Sequence, residues 1–156
     1  MAPGTRLRDL ASGDLDGVMA VEGASFSSPW SRALFEEEIG RRFSDAIVAV
    51  EDPGGAVAGY AVCWTLGGES HLLNIAVRPD ARQRGIGRSL LRECIRRSAR
   101  AGGRRIVLEV RAGNHPAIRL YRRNGFRPAG IRKGYYTDTG EDAIVFTRDI
   151  GEEDAV

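Results

Sequence analysis

The sequence predicts an α/β fold built on one mixed sheet. Short β-branched runs and stretches with helical apolar spacing follow one another in the order β-α-α-β-β-β-α-β-α-β-β. No internal repeat or low-complexity linker interrupts that order. The 156 residues suit a single core, and 42% hydrophobic with 28% charged residues is an ordinary globular composition.

The elements are justified in turn. "TRLRDL" (5–10) alternates and reads as a first strand. "SGDLDGVMAVEGASF" (12–26) offers Ser12 or Asp14 as a cap and then a short helix. "SSPWSRALFEEEIGRR" (27–42) reads as a loop, a Ser31 cap and a second helix. "DAIVAVEDPGGAVAGYAVCWTL" (45–66) is two β-rich runs around "DPGG", a hairpin by its turn chemistry. "ESHLLNIAV" (69–77) is a further strand. From about 85 to 101 the chain is an amphipathic helix, with Ile86, Leu90, Leu91, Cys94 and Ile95 on one face. "RRIVLEV" (104–110) is a strand, and "NHPAIRLYRRNGF" (114–126) a helix capped by Asn114, with Pro116 in its first turn and Gly125 at its end. "RPAGIRKGYY" (127–136) and "EDAIVFTRDI" (141–150) close the sheet around "TDTG". A single domain is expected over 1–150, and the polar "GEEDAV" (151–156) is expected to fray.

Composition excludes several classes. No apolar run approaches the roughly 18 residues of a membrane span, and "MAPGTRLRDL" has no apolar signal core, so a cytoplasmic protein is expected. A net charge of +2 argues against direct nucleic-acid binding, and Lys133 is the only lysine. The arginines nonetheless cluster at Arg78, Arg82, Arg84 and Arg88, which suits a small anionic ligand. Cys63 and Cys94 show no metal spacing and read as structural thiols. His71 and His115 have no partner cluster in sequence, so neither histidine catalysis nor a metal is expected.

The arginine cluster surrounds "NIAVRPDARQRGIGRSLL" (74–91), where a strand passes into a helix through two glycines. A helix N-terminus carries free N–H groups and partial positive charge, and glycine lets a ligand approach its backbone. Leu90 stands where a dinucleotide fingerprint needs its third glycine, and no Gly-Lys-Ser/Thr is present. What remains is Arg82-x-x-Gly85-x-Gly87, a candidate pyrophosphate cradle; alone it reads also as a plain glycine-rich connection with solvated arginines.

That motif, after a strand and opening a long helix, resembles the acetyl-coenzyme A motif of the GNAT acyltransferases. "SFSSPWS" (25–31), "LLNIAVRPDARQRGIGRSLL" (72–91), "LEVRAGNHPAIRLYRRNGF" (108–126) and "RKGYYTDTGEDAIVF" (132–146) resemble the RimI type within that family, the ribosomal-protein alanine N-acetyltransferase group. The resemblance implies a mostly antiparallel sheet of about seven strands flanked by about four helices, with two central parallel strands splayed apart. It implies acetyl-CoA as cosubstrate, its pantetheine along the backbone of Ile75, Ala76 and Val77 and its pyrophosphate against Arg82, Gln83, Arg84, Gly85, Ile86, Gly87 and Arg88, with Asn114 also touching it. Glu109 matches the family's general base and Tyr121 its general acid, and the Val77 N–H is expected to face the oxyanion of the tetrahedral intermediate. Taken alone, Glu109 reads as an arginine partner and Tyr121 as core packing.

A free α-amine has a pKa near 8 and a lysine amine about 2.4 units more, so modest acid–base equipment favours α-amines. The leaving thiol lies near 8.5 and tyrosine near 10, and Tyr121 is expected to hand its proton to the thiolate downhill. On the substrate side, Phe26 and Trp30 are expected to wall the first side-chain pocket, and Tyr135 and Tyr136 to hold the peptide backbone. Trp30 reads equally as a core anchor. Glu22 and Glu36 to Glu38 are candidates for a basic peptide, or a solvated face. The expected activity is acetyl transfer to a protein N-terminal α-amine, with a ribosomal protein's N-terminal alanine as the target. The alternatives are a broader N-terminal or lysine acetyltransferase, and an acetyl-CoA-binding interaction protein in a tRNA-modification or ribosome-assembly complex. Oligomeric state is not legible.

Overall fold

The computed structural model describes residues 4–156, so the first three residues of the expected domain lie outside it. Seven strands and four helices follow in the expected order. They are β1 (Thr5–Asp9), α1 (Leu15–Ser25), α2 (Arg32–Glu38), β2 (Ser44–Glu51), β3 (Ala56–Leu66), β4 (Glu69–Val77), α3 (Ile86–Arg100), β5 (Arg105–Arg111), α4 (His115–Arg123), β6 (Arg127–Tyr136) and β7 (Glu141–Asp149). Among the described residues no helix is long and apolar enough to cross a membrane.

Local chemistry sets the helix ends. The Ser31 hydroxyl accepts from the Leu34 N–H at 3.3 Å and starts α2. Asn114 Oδ1 accepts from the Ala117 N–H at 3.3 Å and starts α4, and Gly125 ends it at φ 87°. Asp14 precedes α1, but its carboxylate serves the Ala11 N–H and the Arg8 guanidinium rather than the helix.

The sheet order is β1-β2-β3-β4-β5-β7-β6, and every pairing is antiparallel except β4 with β5. α3 and α4 pack on one face, around Leu90, Leu91, Ile106, Leu108 and Phe146. The predicted stripe of α3, Ile86 to Ile95, is buried there. Cys63 and Cys94 are free, buried thiols in the same core. On the other face α1 and α2 cover β2, β3 and Ala76 through Val18, Phe35, Val48 and Tyr60. That second core takes no member from β5, β6 or β7, so Val107, Glu109 and Arg111 stay half-buried on that face.

β4 and β5 pair only from Glu69↔Arg105 to His71↔Val107, and then diverge. The cause lies on the other edge of β4. Val62 pairs with Asn74 and Cys63 with Leu72, so Leu73 is an extra residue, and a bulge there bends the strand away. The bulge also exchanges the faces of β4. Before it, Ser70 and Leu72 face α3; after it, Asn74 and Ala76 face α1 while Ile75 and Val77 turn to the α3 side.

Gly59 lets β3 and β4 lie close beyond the bulge. A β-carbon at Gly59 would stand 2.8 Å from the Ala76 carbonyl oxygen and 3.2 Å from Leu90 Cδ1. Gly59→Val is therefore expected to destabilise by about 2–3 kcal/mol through overpacking. In a thermal scan that is a fall in Tm of about 4–12 °C for a domain of this size.

The C-terminal segment does not fray as expected. Glu152–Ala155 form a 3-10 turn. Arg148 grips Asp154 with two bonds of 3.1 Å, and Arg100 Nε donates to the Ala155 carbonyl at 2.9 Å. Two arginines from neighbouring elements turn a polar tail into a packed one.

Candidate active site

The splay leaves one edge of β4 open. Ile75, Ala76 and Val77 pair with Ala61, Tyr60 and Gly59 of β3, but β5 has already diverged on their other side. An extended, amide-bearing ligand can lie along such an edge as a strand does. At its end the chain takes left-handed conformations at Gln83 (φ 63°) and Gly85 (φ 81°), and Gly85 opens α3. The first intrahelical N–H to find its carbonyl is that of Ser89, to Gly85 at 3.0 Å. The amides of Ile86, Gly87 and Arg88 thus stand at the helix's free end, suited to phosphate. A β-carbon at Gly85 would meet nothing within 4 Å, so the space in front of the turn is open to a ligand.

The arginines divide. Arg78 is spent on structure: it bonds Glu51 at 2.6 Å, Asp80, and the Val57 carbonyl at 3.0 Å. Arg82 braces the end of β4, with Nε on the Val77 carbonyl at 3.0 Å and a second nitrogen 3.4 Å from the Ser25 hydroxyl. Arg84 lies 3.7 Å from Glu51. Arg88 is exposed with no partner among the described residues, which leaves it free for an anion.

Glu109 and Tyr121 lie on opposite faces of the sheet. Glu109 sits on the open face of β5. Its Oε2 is 2.6 Å from His71 Nε2, and its Oε1 is 3.8 Å from Arg132. The hydrogen bond to His71, aided by Arg132, holds this carboxyl below its ordinary value even though burial pushes it up. Tyr121, on α4, packs between Phe126 and Phe146 at centroid distances of 5.8 and 6.3 Å. Burial pushes its phenol well above the ordinary value. No hydrogen bond joins the two residues among those described; the gap between β4 and β5 is the passage where both faces meet. Burial likewise pushes Tyr136 up to about 12 against the pull of Arg111, whose guanidinium lies 4.1 Å from the ring centroid.

The Tyr121 result corrects one expectation. A phenol above a thiol surrenders its proton uphill, by about 1.5 units on free-group values. Burial widens that gap. The group the structure presents is a phenol that stays protonated.

Two loops frame the open face. Ser27 and Ser28, between α1 and α2, donate to Asp138 at 2.5 and 3.2 Å, and Arg111 grips the same carboxylate at 2.8 Å. Arg111 first, and Ser27 next, hold the Asp138 carboxyl well below the usual carboxylate range. The two predicted substrate loops are thus joined. Phe26 and Trp30 are half-buried, and the Trp30 ring packs 5.1 Å from Phe35, so it anchors the loop to the core. Tyr135 is exposed and meets Tyr136 edge-on at 5.1 Å.

Two of the four candidate glutamates, Glu22 and Glu38, are buried and not open to a peptide. Glu22 is 1% exposed and accepts from Tyr60, Asn74 and the Trp30 N–H. Glu38 is buried against Trp64 and Arg41, and Glu36 and Glu37 pair with Arg32 and Arg41. The expectation that His71 has no partner is also overturned, by Glu109. The parallel register His71↔Val107 carries the signal: Glu109 lies two residues further on the same face.

Comparison with known proteins agrees with this geometry. The Acetyltransferase (GNAT) family profile matches residues 15–126. The ribosomal protein bS18-alanine N-acetyltransferase of Escherichia coli (strain K12) is 36% identical over 141 residues, 89% of this chain and 93% of the relative. The N-alpha-acetyltransferase RimI of Mycobacterium tuberculosis is 39% identical over 128 residues, 80% of this chain and 78% of that one. The crystal structure of the ribosomal-protein-S18-alanine N-acetyltransferase from Escherichia coli superposes with a TM-score of 0.84 at 34% identity, over 94% of each chain.

Proposed function

Because the chain belongs to the GNAT acetyltransferase family, which draws its acetyl group from acetyl-CoA, we propose that it acetylates a protein N-terminal α-amine, and that its target is the N-terminal alanine of ribosomal protein bS18. The observation that carries this reading is the open face of β5. Glu109 lies there beneath two joined loops, beside a splayed strand edge that leads to a phosphate cradle. The named activities of the Escherichia coli and Mycobacterium relatives support the α-amine over a lysine. An enzyme with that target works in the cytoplasm, where ribosomes are assembled.

In the proposed mechanism the backbone of Ile75 to Val77 and the free amides of Ile86 to Arg88 hold the cosubstrate, with Arg88 free for its phosphates. Glu109 takes the proton that makes the α-amine a nucleophile. The Val77 N–H faces the oxyanion of the tetrahedral intermediate. Tyr121 donates to the departing sulfur. Phe26, Trp30, Tyr135 and Tyr136 hold the first residues of the peptide.

The Tyr121 assignment has a direct test. Tyr121→Phe keeps the packing against Phe126 and Phe146, so Tm is expected to move little. Loss of a hydrogen bond to a developing anion is expected to lower kcat about 10- to 100-fold. A kcat within threefold of wild type would return Tyr121 to the core.

The substrate reading is tested with two peptides, followed by mass spectrometry. One begins with a free alanine and lacks lysine; the other has a blocked N-terminus and one internal lysine. Acetylation of the first alone is expected. Acetylation of the second alone would make this a lysine acetyltransferase. Binding of acetyl-CoA with transfer to neither would point to a partner-binding role.

A further inference from the structure

We propose that Asp138 sets how large a first residue the enzyme accepts, by clasping the two walls of the peptide entrance together and keeping the pocket between them narrow. The inference rests on the acetyl-transfer reading above and deepens it by naming what restricts the substrate. Three observations carry it.

The first is the clasp itself. One oxygen, Asp138 Oδ2, accepts from the Ser27 hydroxyl at 2.5 Å, the Ser28 hydroxyl at 3.2 Å and an Arg111 Nη at 2.8 Å. Ser27 follows Phe26 directly, and Asp138 stands two residues after Tyr136. The clasp therefore joins the walls beside the side chains proposed to hold the peptide.

The second is how little else holds the walls at that point. The loop is anchored at Trp30, by Glu22 and Phe35. Among the described residues, however, Asp138 is the only hydrogen-bond partner of the Ser27 and Ser28 side chains. On the other wall β6 leaves its ladder with β7 after Arg132 and rejoins it at Tyr136↔Glu141, so Tyr135 sits in a gap in the pairing.

The third is the inner member of the clasp. Arg111 lies on β5 two residues past Glu109, on the same face. Besides Asp138, it donates to the Thr139 hydroxyl at 3.2 Å and lies 3.5 Å from Glu141. Its guanidinium also stands 4.1 Å from the Tyr136 ring centroid. One side chain thus fixes the turn, the ring and the clasp relative to the strand that carries the proposed base.

Walls tied in this way part only by breaking charge-assisted hydrogen bonds. A methyl group fits between fixed walls, whereas a longer side chain must push them apart and bears the cost of overpacking. Asp138 touches no reacting atom in this reading. It is a positioning residue, and its loss changes which peptides fit rather than the transfer step.

The test compares kcat/KM of the full chain for two lysine-free peptides with free N-termini, identical except that one begins with alanine and the other with leucine. Wild type is expected to favour alanine by about tenfold or more. In Asp138→Ala that preference is expected to shrink to about threefold or less, mainly through a lower KM for the leucine peptide. Acetyl-CoA affinity, kcat for the alanine peptide and Tm are expected to stay close to wild type. The double variant Ser27→Ala, Ser28→Ala leaves Asp138 on Arg111 and cuts only the link across the entrance. The same loss of preference is expected there, which a role for Asp138 confined to its own turn would not produce. A double variant whose preference stays within about twofold of wild type would overturn the clasp, as would a wild type that does not distinguish the two peptides. If wild type acetylates neither peptide, the acetyl-transfer reading itself falls, a result distinct from an active, discriminating enzyme whose preference survives the loss of both serines.

Discussion

Glu109→Gln is expected to lower kcat/KM for an alanine-initiated peptide by about 10²- to 10³-fold, with acetyl-CoA affinity unchanged. The amide has nearly the shape of the carboxylate, so it still fills the place on β5 beneath the two loops. What it loses is the charge. Deprotonation of an α-ammonium then has no carboxylate to receive the proton. The cradle of Gln83 to Arg88 lies at the far end of β4, beyond the splay, and has no contact with Glu109. Binding of acetyl-CoA, followed by calorimetry, therefore separates the site's two halves. Turnover within threefold of wild type would remove Glu109 from the chemistry. Loss of acetyl-CoA binding along with turnover would mean that the substitution had disturbed the strand rather than the reaction.

The residues differ in how far the sequence announces them. The stripe of α3 is legible because Ile86, Leu90, Leu91, Cys94 and Ile95 repeat at the helical period and bury together. The Ser31 and Asn114 caps are legible because the chemistry is local, three residues from side chain to amide. The turn that opens α3 is legible because left-handed backbone at Gly85 asks for glycine. The bulge at Leu73 is not, because "LLN" contains no turn residue; the extra residue is defined only by its pairing with β3. The bond from His71 to Glu109 spans 38 residues and depends on a register that no local pattern encodes. The tail hides for the same reason: its partners, Arg148 and Arg100, sit on other elements.

Glu22 is the sharpest of these cases and yields the largest expected loss of stability. A glutamate in a helix reads as solvated, yet this one is 1% exposed. Its Oε1 accepts from the Tyr60 hydroxyl at 2.5 Å and Asn74 Nδ2 at 2.9 Å, and its Oε2 from the Trp30 N–H at 2.8 Å. Burial, and then this carboxylate, push the Tyr60 phenol far above its ordinary value, so that hydroxyl always donates. In Glu22→Ala three donors, two of them buried, lose their acceptor, at about 1–3 kcal/mol for each buried one. Relief from burying a charged group offsets part of that. A net loss of about 3–5 kcal/mol is expected, a fall in Tm of about 6–20 °C. The same carboxylate ties the loop of Phe26 and Trp30 to β4 at Asn74, one residue beyond the bulge and one before the proposed cosubstrate edge. The KM for peptide is therefore expected to rise in Glu22→Ala well before that for acetyl-CoA. A Tm within about 2 °C of wild type, less than the loss of one such bond, would show that water replaces the carboxylate and that the loop is held by Phe35 and Asp138 instead.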